Sequence, residues 1–198
     1  MKQIEGGITA AKGFKAASCA AGIKYQNRAD MALIYTSVPA VIAGTFTTNV
    51  VKAACVKWDM ELVHSGRNLQ AVVINSGIAN ACTGKEGYDA IIATAKGVEA
   101  ALDIPYDTVG VASTGVIGMQ LPVEKLVKGV QEMSHKLDDS ILSGTEASKA
   151  IMTTDTVNKE IAVSFEIEGV TVTMGGMSKG SGMKVNTITM NVKVINQM

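Results

Sequence analysis

Between two short apolar runs, Ala71–Ile74 and Val109–Ala112, the spacing of hydrophobic residues shifts to the period of a helix. This shift constrains the fold more than any other feature of the chain. From Lys85 to Leu102, the residues Tyr88, Ile91, Ile92, Ala95, Val98 and Leu102 fall on one side of a helix, which Asp103–Pro105 closes. The two flanking runs are compact and apolar and predict strands. The first enters Asn75-Ser76-Gly77, read as a loop, and the second enters Ser113-Thr114-Gly115. Met31–Tyr35 predicts another strand. A second helix is predicted after Pro122, with Val123, Leu126, Val127 and Val130 inward, and a third over Ser140–Met152. The period then falls to two. Ile161, Val163, Phe165 and Ile167 alternate with polar residues, as do Val170, Val172 and Met174, and Glu168-Gly169 lies between them as the turn of a hairpin with one wet face. Gly175–Gly182 reads as a glycine-rich loop, and Ile188–Ile195 alternates again. The expected class is α/β, a layered mixed sheet with covering helices.

Charge narrows the function. Eighteen basic and eighteen acidic side chains give a formal net charge of zero, so no electrostatic case exists for nucleic acid or an anionic membrane. With 47% hydrophobic residues over 198 positions, the chain can bury one good core or two small ones. The longest uncharged stretch, Met31–Val51, contains Pro39, Gly44 and Asn49 and reads as strand, turn and strand rather than a membrane helix. The three cysteines, Cys19, Cys55 and Cys82, form no CxxC pair, which argues against a disulfide framework or a zinc site and fits a reduced, cytoplasmic compartment. No secretory signal is visible at the first residues. Cys82 is expected to be a small buried thiol. His64 and His135 have no ligand-spaced partner, so no metal is expected.

Three segments carry candidate chemistry. Ser113-Thr114-Gly115 follows a strand, where exposed backbone N–H groups can hold a developing oxyanion; a turn that uses Gly115 for backbone freedom is the alternative. Met152-Thr153-Thr154-Asp155-Thr156 is either a capped loop or a polar grip on a substrate's amino or carboxylate group. Gly175-Gly176-Met177-Ser178-Lys179-Gly180-Ser181-Gly182-Met183 invites a phosphate-loop reading, but Lys179 is followed by Gly180 and no GxxxxGK[ST] register fits. Lys179 can meet a carboxylate; a solvated loop is the alternative. If the chain does covalent chemistry, a threonine hydroxyl is a better nucleophile than a thiol here, because a threonine at a chain start can use its own amine as base.

These segments, with Gly6–Phe14, Ala43–Asn49, Asn75–Gly84 and Ala112–Gly118, resemble in order the bifunctional ornithine acetyltransferase / glutamate N-acetyltransferase family of arginine biosynthesis. The resemblance covers nearly the whole chain, to about Met183. It implies a layered fold like that of N-terminal-nucleophile hydrolases. It also implies a precursor that cuts itself into α and β chains, and a new N-terminal threonine that carries acetyl from N-acetylornithine to glutamate. The implied assembly is α2β2, with no cofactor; some members also use acetyl-CoA as donor. Carried onto this chain, the resemblance makes Thr114 and Gly115 the oxyanion pair and Thr153 and Lys179 substrate contacts. The family continues with Pro-Asn-Met-Ala-Thr-Met. Here Lys184-Val185-Asn186-Thr187-Ile188-Thr189-Met190 stands, so that, with one residue deleted, Thr189 takes the nucleophile's place, the proline is missing and Ile188 replaces the alanine before the cut. Residues 1–183 are thus expected to be an α-chain-like domain, and 184–198 an atypical tail around the cleavage region. Two rivals are an N-terminal-nucleophile aminopeptidase or amidase, and a non-catalytic, truncated subunit.

Overall fold

The computed structural model describes residues 1–180 and, by its backbone alone, the strand Thr189–Lys193. The expected shift from strand to helix to strand is the centre of the molecule. Strand β4 (Asn68–Ile78), helix α2 (Gly84–Leu102) and strand β5 (Val109–Val116) form a crossover unit, and β4 pairs with β5 in parallel. Strand β2 (Phe14–Cys19) and strand β3 (Met31–Val41) continue this sheet by antiparallel pairing, in the order β2-β3-β4-β5. Successive side chains of β4 enter different cores. Ala71 and Val73 pack under α2, helix α1 (Ala54–His64) and helix α3 (Val123–Ser134). Val72 and Ile74 face the other way, towards Ala147 and Ala150 of helix α4 (Ile141–Ala150), Ile8 and Met177. A strand buried on both faces reads as a continuous apolar run, the pattern of Ala71–Ile74.

A second sheet runs in the order β1-β6-β7-β8: strand β1 (Lys2–Ile4), strand β6 (Lys159–Ile167), strand β7 (Val170–Ser178) and strand β8 (Thr189–Lys193). Its pairings are antiparallel. The hairpin turn is as expected, with Glu168 at φ 51° and Gly169 at φ 80°, both left-handed, as a two-residue turn between twisted strands requires. Helix α3 starts at Val123, directly after Pro122, and Ser140 caps α4 by accepting a bond from the Ser143 amide at 3.3 Å.

Three expectations are corrected. Asn75-Ser76-Gly77 is no loop; β4 runs through it to Ile78. Its polar groups have partners, one local and one distant: the Asn75 amide donates to the Ile78 carbonyl at 2.8 Å, and the Ser76 hydroxyl to the Ala150 carbonyl at 2.8 Å. Polar residues satisfied in this way fit a buried strand. Gly175–Ser178 is likewise strand, because Met177 enters the core and a side chain at Gly175 would overlap the carbonyl of Gly7. The hairpin's faces also reverse in part. Fully buried Ala162 lies opposite Gly175 on the packed face, whereas Ile161 is 54% exposed and Ile167 and Val170 are also exposed. The close approach of the Gly7 segment selects small residues over large ones there. The predicted tail 184–198 lies outside the described residues apart from the β8 backbone, as does the boundary before it.

Candidate functional site

Parallel strands open a crevice beyond their carboxyl ends, where the chain turns away from the sheet. Here the next-to-last residues of β4 and β5 are the paired Gly77 and Gly115, both left-handed at φ 103° and 136°. The preceding residue, Thr114, is buried, and its hydroxyl meets the second sheet. Lys179, the first residue after β7, donates from Nζ to Thr114 Oγ1 at 3.1 Å and to Thr153 Oγ1 at 2.8 Å. The structure therefore brings together Thr114, Thr153 and Lys179 from three separate segments. Gly115 is exposed at the edge of the group. Thr189 lies outside the residues whose side chains are described, but its backbone pairs with Ser178, next to Lys179.

Asp155 holds the lysine's surroundings in place. Its side chain has no exposed surface, and Oδ2 lies 4.0 Å from Lys179 Nζ. Oδ1 accepts from Lys159 Nζ at 2.6 Å and from the Gly180 amide at 2.8 Å, and the Thr153 amide approaches Oδ2 at 3.4 Å. Burial works against the charge on this carboxylate, but the bonds from Lys159, Gly180 and Thr153 outweigh it and hold the group down at about 2. A carboxylate with a folded value of about 2 against an ordinary 3.8 contributes stability above pH 4 that is lost as the pH falls from about 4 to 2. Asp155→Asn is expected to lower the denaturant midpoint at pH 7 and to flatten its fall across that acid window. Midpoints measured from pH 2 to 7 check this; an unchanged acid limb would separate the residue from the effect.

A wall beside the crevice comes from the segment before β3. Asp30, fully buried, accepts from the Ala21 and Ile23 amides at 2.8 and 2.6 Å. Arg28 lies over the Tyr25 ring and donates to the Met152 carbonyl at 2.6 Å, next to Thr153. A side chain at Gly77 would press on Lys24 Cβ at 2.8 Å, so the segment packs directly on the strand end. Sequence reasoning noted Asp155 only as part of a threonine-rich cluster, read Gly77 as a loop residue, and missed Asp30 and Arg28. The signal for Asp155 was present in its place two residues after Thr153; nothing local marks Asp30 or Arg28.

The cysteine expectation is corrected. Cys82 is exposed and left-handed at φ 58°, while its neighbours Asn80 and Thr83 are buried and bonded to each other, Thr83 donating to Asn80 Oδ1. Their mutual bond turns Cys82 outward. Cys19 and Cys55 are the buried thiols. His64 and His135 are exposed, and among the described residues no group of three potential ligands could hold a metal ion. No helix among them is long and apolar enough to cross a membrane.

Two solved structures share this architecture. The arginine biosynthesis bifunctional protein of Bacillus halodurans superposes with a TM-score of 0.87 at 40% identity, over 94% of this chain and 97% of that one. An ornithine acetyltransferase complexed with ornithine, from Mycobacterium tuberculosis, gives 0.84 at 44% identity, over 92% of this chain and 96% of that one. The fold is therefore that of the arginine-biosynthesis acetyltransferases. The curated arginine biosynthesis bifunctional protein of Thermosynechococcus vestitus is 47% identical over 182 residues, 92% of this chain but 43% of its own length. The ArgJ family model matches residues 15–195, and the chain belongs to the ArgJ family. It spans less than half the length of the curated relatives it matches.

Proposed function

We propose that this chain forms the α portion of an acetyltransferase that moves acetyl from N-acetylornithine to glutamate, in an α2β2 assembly with a β chain. The observation that carries the reading is the Lys179 ammonium bonded to both the Thr114 and Thr153 hydroxyls beside Asp155. A cation there can face the carboxylate of an amino-acid substrate, and Thr153 can orient the amide. Because the Thr114 oxygen accepts from Lys179, its own proton is left to point elsewhere. Polarised by the ammonium, it is a strong donor to an oxyanion, with the Gly115 amide as the second donor. Lengths support the two-chain reading: the match is 43% of a curated relative but 97% of a solved chain.

The reaction needs no cofactor in this reading. A threonine hydroxyl, that of Thr189 freed by self-cleavage after Ile188, adds to the acetyl carbonyl. The C–N bond of N-acetylornithine breaks, and ornithine leaves with the proton. The α-amine of glutamate then attacks the threonine ester, forming N-acetylglutamate and restoring the hydroxyl. Acetyl-CoA could enter as donor by the same ester. The odd, unpaired cysteines support a reducing, cytoplasmic setting.

The test uses this chain assembled with a family β chain. Consumption of N-acetylornithine that depends on glutamate, with an acetylated peptide detected by mass spectrometry, is expected. Acetate release without glutamate would mark a hydrolase, and an assembly inert to both would mark a non-catalytic subunit.

A further inference from the structure

Among the described residues strand β5 is an edge strand, with β4 on one side and no strand on the other. The outward N–H and C=O groups of an edge need partners, and here helix α1 supplies them. Trp58 Nε1 donates to the Val109 carbonyl at 2.8 Å. Asp59 Oδ1 accepts from the Val111 amide at 3.0 Å. The Ser113 amide faces the Cys55 sulfur and offsets part of the burial that raises its thiol. Positions 55, 58 and 59 share one helix face, and 109, 111 and 113 alternate along the strand, so one face of α1 stands in for a fifth strand. The next position in that alternation is Gly115.

The helix is itself held from behind. Trp58 stacks on Tyr106 at 6.1 Å and meets Tyr88 edge-on at 6.4 Å, and Tyr88 donates from its hydroxyl to Glu61 Oε2 at 2.7 Å. The grip therefore joins a packed helix to the strand that ends in Thr114 and Gly115.

We propose that Asp59 is a positioning residue for acetyl transfer: by holding the Val111 amide it fixes the height and twist at which β5 presents Thr114 and Gly115 to the reacting carbonyl. This rests on the proposed function. A donor pair serves an oxyanion only within a narrow geometry, and a displacement of about 1 Å costs on the order of a hundredfold in rate. Asp59 is the middle of three contacts, so its loss frees the strand between Val109 and Ser113 while Trp58 still anchors its start. Burial pushes the Asp59 carboxyl up to about 7 against the opposing Val111 bond, so a neutral amide is no stranger to this site. Asparagine retains the acceptor that Val111 needs.

The experiment compares Asp59→Ala and Asp59→Asn with the parent chain, each assembled with a family β chain. Asp59→Ala is expected to lower kcat by about ten- to a hundredfold with KM within about twofold, and Asp59→Asn to restore kcat. Amide hydrogen exchange provides the second measurement. Exchange at Val111 and at Thr114–Gly115 is expected to quicken by about tenfold or more in Asp59→Ala and to stay at the parent rate in Asp59→Asn. Equal loss of kcat in both variants, a change confined to KM, or unchanged exchange at Thr114–Gly115 would overturn the proposal. If the parent assembly moves no acetyl to glutamate, the functional reading fails on its own, and the exchange comparison still decides whether Asp59 holds the strand end.

Discussion

Replacing Lys179 with methionine is expected to lower kcat/KM for N-acetylornithine by about a hundredfold while leaving the fold nearly intact. Two charge-assisted bonds leave with the ammonium, to Thr114 and Thr153, and such bonds are worth about 1.5–3 kcal/mol each where they are made to substrate or to the groups that hold it. The methionine keeps the apolar stem of a side chain that is only 11% exposed, so packing is preserved. Asp155 does not become an orphan charge, because Lys159 and the Gly180 amide still meet its Oδ1 at 2.6 and 2.8 Å. Stability should fall by about 1–3 kcal/mol, which thermal unfolding of the isolated chain can check. Arginine is not expected to rescue. Its planar fork cannot reach two hydroxyls, one on β5 and one in the loop after α4, from the point that a single ammonium occupies. Steady-state kinetics on the assembled protein decide the matter: kcat/KM within a few-fold of the parent would move the substrate site away from Lys179.

How much of this was legible in the sequence depends on the range of the interactions. Helix α2, the start of α3 after Pro122 and the Glu168-Gly169 turn are local features, carried by spacing, a fixed proline φ and left-handed backbone, and each stands where the pattern put it. The strand ends were misjudged because their partners are far along the chain. Ser76 reads as a loop residue until the Ala150 carbonyl is found 2.8 Å away, 74 residues later. Gly175 reads as a flexible loop until the Gly7 backbone is seen against it. The hairpin's alternation was correct as strand, but alternation fixes the period and not which face packs; buried Ala162 and exposed Ile161 show the choice being made by the space available.

The site divides in the same way. Thr114, Thr153 and Lys179 were named through family resemblance, and no spacing rule joins residues 65 and 26 positions apart from the lysine that binds them. Asp155 was visible as chemistry without a role, since its role comes from Lys159 and Gly180, which the hairpin pairing brings side by side from 21 positions apart. The α1 grip on β5 has a local half, the one-face spacing of Cys55, Trp58 and Asp59, which resembles any amphipathic stripe until the strand it meets is known.

Gly115→Ala is expected to have a large effect for a single added methyl group. The new Cβ would overlap the carbonyl carbon and oxygen of Gly77 and lie 2.7 Å from the Ile78 amide nitrogen. All three are backbone atoms near the end of the parallel ladder, so no side chain can swing aside to make room. The backbone angle adds its own cost, since φ at this position is 136°, a region that residues with a Cβ rarely adopt. The ends of β4 and β5 must then separate, breaking the pairing of Ser76 with Thr114 and of Gly77 with Gly115 and carrying the Thr114 hydroxyl away from Lys179. A loss of about 3 kcal/mol or more in unfolding free energy is expected, together with transfer activity below detection. Two controls on nearby glycines separate crowding from strain. At Gly118, φ is 77° but nothing lies within 4 Å of the added carbon, so alanine should cost about 1 kcal/mol from backbone strain alone. At Gly110 the added carbon would meet Val72 Cγ2 at 3.5 Å and Leu69 Cδ1 at 3.6 Å, ordinary contacts that a strand interior accepts with little or no loss. Denaturant unfolding of the three variants should rank them in that order. If Gly115→Ala unfolds at the parent's midpoint, the two strand ends do not approach as closely as described, and the oxyanion geometry built on them goes with that approach.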